Sequence, residues 1–328
     1  MASNSPQLSQ LSSGPSPQIP TPNSVLSLST KHNTPVSQGA LRLLGSIIGL
    51  DNNLIAKFSL EKADSHSQFF QAIQHPRLRT QHALLLLRAC ALPRMNFLCR
   101  TLAPRLTLDA CNLFDTLVSR AAVTILKLSE GNLSQVAQHQ LSMPLRQGGL
   151  GLRQTVIIAP AAFLGSIADS SPFLYNVSRS DPPPHSEALL EDLTESYRVL
   201  GLPSPRIKLP NPPNFIQHFS HPQHAHAKLQ HSLSFFLAKT FLNSTFKPLL
   251  SPLEQAHFTS LSQRCSSLWL TTPPGRPEYQ MSDDDFLLAI RYRLRLPPAS
   301  PCPSTASVVC PTTFQIIFLT VRASVVDL

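Results

Sequence analysis

Between Asp64 and Asp109 the chain carries no carboxylate, yet Arg77, Arg79, Arg88, Arg94, Arg100 and Arg105 all fall there. Guanidinium groups in that number suit one chemistry above others. Each can grip a phosphate oxygen, and together they give a salt-dependent, sequence-blind attraction to a nucleic-acid backbone. A solvated face with a chance shortage of acids is the other reading of the same stretch. Arg146 and Arg153 flank a second feature, the turn Gly148-Gly149-Leu150-Gly151. Its glycines admit backbone angles that cost other residues energy. No Lys-Ser/Thr pair follows them and the GxGxxG order is missing, so the turn is a structural corner rather than a phosphate cradle. Five histidines, His218, His221, His224, His226 and His231, gather downstream, with His224 and His231 two turns apart on an expected helix. HExxH and a cysteine partner are both lacking, so these read as exposed side chains and no metal is assigned to them, with metal binding the lesser alternative.

Helices must position these groups. Leu133, Val136, Gln140 and Leu141 recur at helical spacing after a capping Ser134, and Pro144 stops that helix before the glycines. Leu150 and Leu152 should return to a core. A further helix is expected from about Ala159, with Pro160 in its first turn, where a missing N–H costs nothing. Upstream, Ser65 to Pro76 reads as a helix with Phe69, Phe70 and Ile73 inward. Thr80 to Leu92 reads as a central helix ended or kinked by Pro93. Leu106, Ala110, Leu113, Phe114, Leu117, Val118, Ala121 and Ile125 give the clearest three-and-four spacing of the chain. Ala40 to Leu50 suits either a short buried strand pair or a helix start. Helices are also expected over Glu187–Leu200, Leu229–Leu242, Pro252–Leu270 and Phe286–Leu296, the last led in by Ser282-Asp283-Asp284-Asp285, whose carboxylates suit a helix N-terminus.

The string Pro144 to Arg153, PLRQGGLGLR, followed by APAAFLGS from Ala159 to Ser166, resembles the region after the polymerase core in reverse transcriptases of non-LTR (LINE-like) retrotransposons. Leu86 to Arg100 (LLRACALPRMNFLCR) and Phe114 to Val118 (FDTLV) resemble words of that family's helical thumb. Leu44-Gly45 with Ile47-Ile48-Gly49 looks like its primer-grip hairpin, and Arg291 to Pro298 (RYRLRLPP) matches the lead-in to its Cys/His knuckle. The resemblance implies a thumb that holds a template–primer duplex. Polymerases bind two metal ions on carboxylates, and the resemblance implies an aromatic-x-Asp-Asp turn for this in reverse transcriptases. Met281-Ser282-Asp283-Asp284 mimics it loosely but lies after the thumb words, and residues 1–50 contain no acid to partner it. The catalytic palm is therefore expected to be missing and the chain should not polymerise by itself. Cys302 and Cys310 have no histidine after them, so the knuckle is degenerate.

The chain has 328 residues, 31 of them proline, 14% charged residues and a formal charge of +9. That suits a partly packed chain with a polyanionic partner. The fold expected is mainly α: residues 1–38 disordered, 39–176 a thumb-like helical bundle, 177–222 a Pro-rich linker, 223–296 a looser helical region, and 297–328 an irregular tail. Six cysteines without a CxxC pair or signal peptide point to a reducing intracellular site, cytoplasm or nucleus, and Cys90, Cys99 and Cys111 read as small buried hydrophobes. No apolar run is expected to reach the length of a membrane span, and neither a membrane, a cofactor nor a small-molecule substrate is implied. The reading is therefore a reverse-transcriptase fragment that holds an RNA–DNA or DNA duplex through Arg77, Arg79, Arg88, Arg94 and Arg100, with Arg146 and Arg153 as further candidates and no catalytic residue. A helical protein-interaction scaffold and a relic reading frame are the alternatives.

Overall fold

The computed structural model describes residues 39–128, 133–178, 186–202, 204, 207–224 and 228–297. The expected disordered segment at 1–38 and the tail from 298 onward, with Cys302 and Cys310, lie outside the described residues, as does part of the Pro-rich linker. What is described is mainly helical.

Ala40 to Leu50 folds as a hairpin, β1 (Ala40–Leu43) antiparallel to β2 (Ser46–Gly49), with Leu41 opposite Ile48 and Leu43 opposite Ser46. Its two-residue turn has positive φ at both Leu44 (50°) and Gly45 (85°), the twist that tight hairpins favour. The pair is less buried than its sequence suggests. Ser46 and Ile47 are covered, whereas Leu41, Leu43, Leu44, Ile48 and Leu50 stand exposed.

Asp51 then caps α1 (Asn52–Asp64), its Oδ1 accepting from the amides of Asn53 at 2.9 Å and Leu54 at 3.2 Å. α1 buries only Ile55, Ser59 and Ala63, small groups that bring it close against α5 (Pro104–Ile125). There the Ser59 hydroxyl donates to the Leu106 carbonyl at 3.0 Å. α5 follows the expected spacing, burying Ala110, Phe114, Val118, Ala121 and Ile125, with Pro104 at its first turn.

Between them come α2 (Ser67–Ile73), α3 (Thr80–Leu86) and α4 (Pro93–Thr101). The expected single helix over Thr80–Leu92 is interrupted, because Leu87–Ala91 widens into a π-turn just before Pro93. Proline has no N–H for the carbonyl four residues back and its ring crowds that carbonyl, so a wider turn relieves both. Arg88 sits in this widened turn. In the adjoining core Cys99 Sγ lies 3.7 Å from Cys111 Sγ, a contact that with burial pushes the Cys99 thiol well up. Cys90, expected to be buried, is exposed, as helical rotation from Arg88 leaves it on the outer side.

The main core runs from Ile47 through α1–α5 to Leu150 and Leu152, and it also takes in Leu270, Phe286, Ile290 and Leu294. Leu270 belongs to α12 (Leu268–Thr271), Phe286 and Ile290 to α13 (Asp283–Arg293), and Leu294 caps the end of α13, so the end of the region drawn at 223–296 packs into the same core as α1–α5. A second core joins α7 (Thr155–Ser178), α8 (Ser186–Leu200), α9 (Phe215–Ser220) and α10 (Leu229–Phe241). The helix expected over Pro252–Leu270 is broken. α11 (Pro252–Leu261) ends, a turn with Cys265 at φ 71° follows, and α12 begins.

α7 starts at Thr155, four residues before the expected Ala159, which places Pro160 inside the helix. The start is fixed from another element. Asp115 on α5 accepts from the amides of Thr155 at 2.7 Å and Val156 at 3.1 Å, satisfying two donors that no helical partner can reach. Over Thr155–Tyr175, α7 is also long and apolar enough to cross a membrane by length and composition, a correction to the sequence expectation; half of that stretch is buried in the fold, as in a core helix.

Burial raises the Asp115 pKa against the pull of its amide partners. A carboxyl whose folded pKa lies above its unfolded value binds protons more readily when folded, so its contribution is fully present below the unfolded pKa and fades as pH rises through the folded one. Wild type should therefore gain stability over Asp115→Asn as pH falls through the raised pKa, read as the difference between their urea unfolding free energies. Asp115→Ala should lose about 1 kcal/mol or more at neutral pH, as for a lost helix cap. A pH-independent difference between wild type and Asp115→Asn would contradict the assignment.

Candidate functional site

The site is built on the glycine turn. α6 (Gln135–Ser142) is capped by Ser134, whose hydroxyl accepts from the Ala137 amide at 3.2 Å, and it ends before Pro144 as expected. A single 3-10 turn over Leu145–Gln147 leads into Gly148 (φ 81°), and Gly151 lies at φ 78°. The returning segment then serves the end of α6. Leu150 donates to the Gln140 carbonyl at 3.1 Å, Gly151 to Met143 at 2.8 Å and Leu152 to Leu141 at 3.1 Å. Carbonyls that a helix C-terminus leaves open are thereby filled. Gly149 passes so close that a Cβ on it would lie 2.0 Å from the Met143 carbonyl oxygen.

Two polar side chains inside the core hold this turn. Gln140, on the apolar face of α6, donates to the carbonyls of Gly148 and Arg293, each at 2.9 Å. Arg293 of α13 is 1% exposed. Its guanidinium donates to the Gly149 carbonyl from Nη2 at 3.0 Å and to Ser267 Oγ at 2.8 Å. Ser267 in turn donates to the Leu145 carbonyl at 3.0 Å. Burial, with the Arg88 charge nearby, draws Arg293 down to about 10, still protonated at neutral pH. Arg88 runs along the same turn and donates to the Leu270 carbonyl; burial brings it too down to about 10.

Above this scaffold opens a cleft of about 1500 Å³, walled by the π-turn, the glycine turn, α10 and the segment from Ser262 to Thr271. Arg88, Arg146, Arg153, Lys239 and Arg264 line it, with His231, Phe235 and Phe236, and no Asp or Glu is among its lining residues. Burial lowers Arg153, whose side chain has no hydrogen-bonding or ionic partner among the described residues. Arg146, Lys239 and Arg264 are exposed.

The arginines singled out in the sequence do not form one surface. Arg88, Arg146 and Arg153 meet in the cleft. Arg77 and Arg79 lie on the loop before α3, where Arg79 donates to Gln280 Oε1 at 2.5 Å. Arg94 stacks over the Phe69 ring at 4.1 Å. Arg100 pairs with Asp169 at 2.8 Å, and Arg105 with Asp192 at 2.6 Å, so carboxylates distant in sequence neutralise part of the acid-free stretch. Lys239, Arg264 and Phe235 come from the opposite half of the chain and are not singled out by the sequence, whereas His231, read there as an exposed side chain, is exposed at the cleft. The one available signal was the i, i+4 placement of Phe235 and Lys239 on a single helix face.

The remaining candidates are structural. Asp283 Oδ1 accepts from the Thr80 amide at 2.9 Å, capping α3 from outside, and Ser282 caps α13 by accepting from the Asp285 amide at 3.1 Å. His218 stacks on His224 with ring centroids 4.2 Å apart. His224 ends a 3-10 turn whereas His231 lies on α10, so the two are not neighbours on one helix, and His226 lies outside the described residues. No group able to hold a metal ion occurs among the described residues. In comparisons with known proteins no family model matches the chain, and no curated protein or solved structure matches it.

If the turn depends on the close approach at Gly149, Gly149→Ala should lower unfolding stability by about 1–3 kcal/mol, since the methyl meets backbone that cannot swing away. Gly275→Ala, with nothing within 4 Å, should stay within about 0.5 kcal/mol. Equal urea midpoints for the two variants would contradict this.

Proposed function

We propose that this chain holds nucleic acid, and that it does so as the thumb and post-thumb part of a non-LTR retrotransposon reverse transcriptase, acting inside the cell on an RNA–DNA or DNA duplex. The family reading rests on the sequence strings from Leu44 to Pro298. The holding role rests on one observation: five cationic side chains from four segments converge on a cleft whose lining contains no carboxylate. Uncompensated positive charge in a concave surface focuses potential and draws a polyanion. No bond-making step is assigned to it.

A helical protein-interaction scaffold is the second reading, favoured by the exposed apolar face of the β1–β2 hairpin. Leu44 is 89% exposed and held at positive φ, where asparagine or glycine would be easier. Such a side chain gains nothing from the described residues and suits contact with a partner.

Filter binding of the full chain to an RNA–DNA hybrid across a salt series tests the first reading. Affinity should fall with salt, and the double variant Arg146→Ala, Arg153→Ala should make the slope of log affinity against log salt shallower by about two. Arg77→Ala, outside the cleft, should leave the slope unchanged. Salt-independent affinity, or the same loss from Arg77→Ala, would sink the cleft as the holding surface. A folded chain that binds no nucleic acid at low salt would leave the scaffold reading.

A further inference from the structure

Resting on the nucleic-acid reading above, we propose that the cleft receives an unpaired stretch of RNA or DNA strand, a backbone phosphate held by Arg88 and Arg153 and a base stacked on Phe235. The first support is the aromatic wall. Phe235 is 54% exposed on α10 and faces the cleft beside Phe236, with Lys239 one turn further along. An exposed phenyl ring in a basic groove is of no use to a duplex, whose base faces are already stacked on each other. An unpaired base offers its π-face, and stacking platforms interleaved with cations are how single strands are held without regard to sequence.

The second support is on the floor. Arg88 Nη1 is buried and has no hydrogen-bond partner among the described residues, although Nη2 of the same group is bonded to Leu270. Arg293 Nη1, behind the glycine turn, is buried and unpartnered as well. Buried charged donors without an acceptor are costly, so a cleft lined by the Arg88 guanidinium and no carboxylate, with the Arg293 charge sealed behind the turn, is set up for an anion supplied from outside. Arg153 adds a second inner cation at the same cleft, and the exposed Arg146, Lys239 and Arg264 can follow the phosphates as the strand leaves. The ligand is thus an unpaired, polyanionic strand carrying planar bases.

Fluorescence anisotropy of the full chain with three probes tests this: a blunt RNA–DNA hybrid, the same hybrid with a few unpaired nucleotides at either end, and the single strand alone. The tailed hybrid should bind about tenfold more tightly than the blunt one, and Phe235→Ala should abolish that increment while sparing blunt-hybrid binding. Phe235→Trp should keep it. Phe235 is largely exposed, so both variants should fold, which circular dichroism checks. A tail that adds nothing, or an increment that survives Phe235→Ala, overturns the unpaired-strand proposal and leaves duplex holding intact. Failure of all three probes overturns both.

Discussion

Arg293 is the constraint on which the rest of the structure depends. Its guanidinium is sealed from water, yet it has no carboxylate, and its bonds go to a backbone carbonyl of the glycine turn and to Ser267. That choice of partners ties together parts of the chain that are far apart in sequence: α13, the turn after α6 and the segment leading into α12. A carboxylate partner would have balanced the charge but bound only one side chain. Carbonyls bind the path of the main chain, and removal of the cation leaves the Gly149 oxygen buried and unmet, a cost of about 1–3 kcal/mol. The same demand explains why glycine stands at 149: the carbonyl reaches Arg293 only if the backbone lies against Met143.

Electrostatics then follow from where the acids are used. Asp115 and Asp283 cap helices that begin on other segments, Asp51 caps its own, Glu254 accepts from the amide of Ser251 in the capping box of α11, and Asp169 and Asp192 pair with Arg100 and Arg105. Helix ends and outer arginines take these carboxylates, and none lines the cleft. Its charge is therefore a consequence of packing, with Arg88 held inward by the π-turn that Pro93 imposes.

Legibility in the sequence was uneven for physical reasons. α5 could be read residue by residue because eight apolar positions repeat at helical spacing over 22 residues, and Ser134 marked the start of α6 by its own short-range hydrogen bond. α1 was silent, since its buried face is Ile55, Ser59 and Ala63 and carries almost no hydrophobic contrast. The start of α7 was misplaced because its cap, Asp115, lies 40 residues away. The acid-free arginine stretch overstated a patch, as linear spacing cannot show that Asp169 and Asp192 return to meet it. The cleft itself was invisible for the same reason: Lys239 and Arg264 face Arg88 only once α10 and the Ser262–Thr271 segment have folded across the glycine turn.

Hydrogen–deuterium exchange on Arg293→Met beside the wild-type chain tests this account most directly. Methionine keeps much of the volume but none of the donors, so residues 143–153 and 262–271 should lose amide protection together, while the β1–β2 hairpin, which Arg293 does not touch, should exchange as before. Unchanged protection in both segments, or loss spread evenly over the whole chain, would contradict the claim that one buried guanidinium holds the turn and the cleft wall in place.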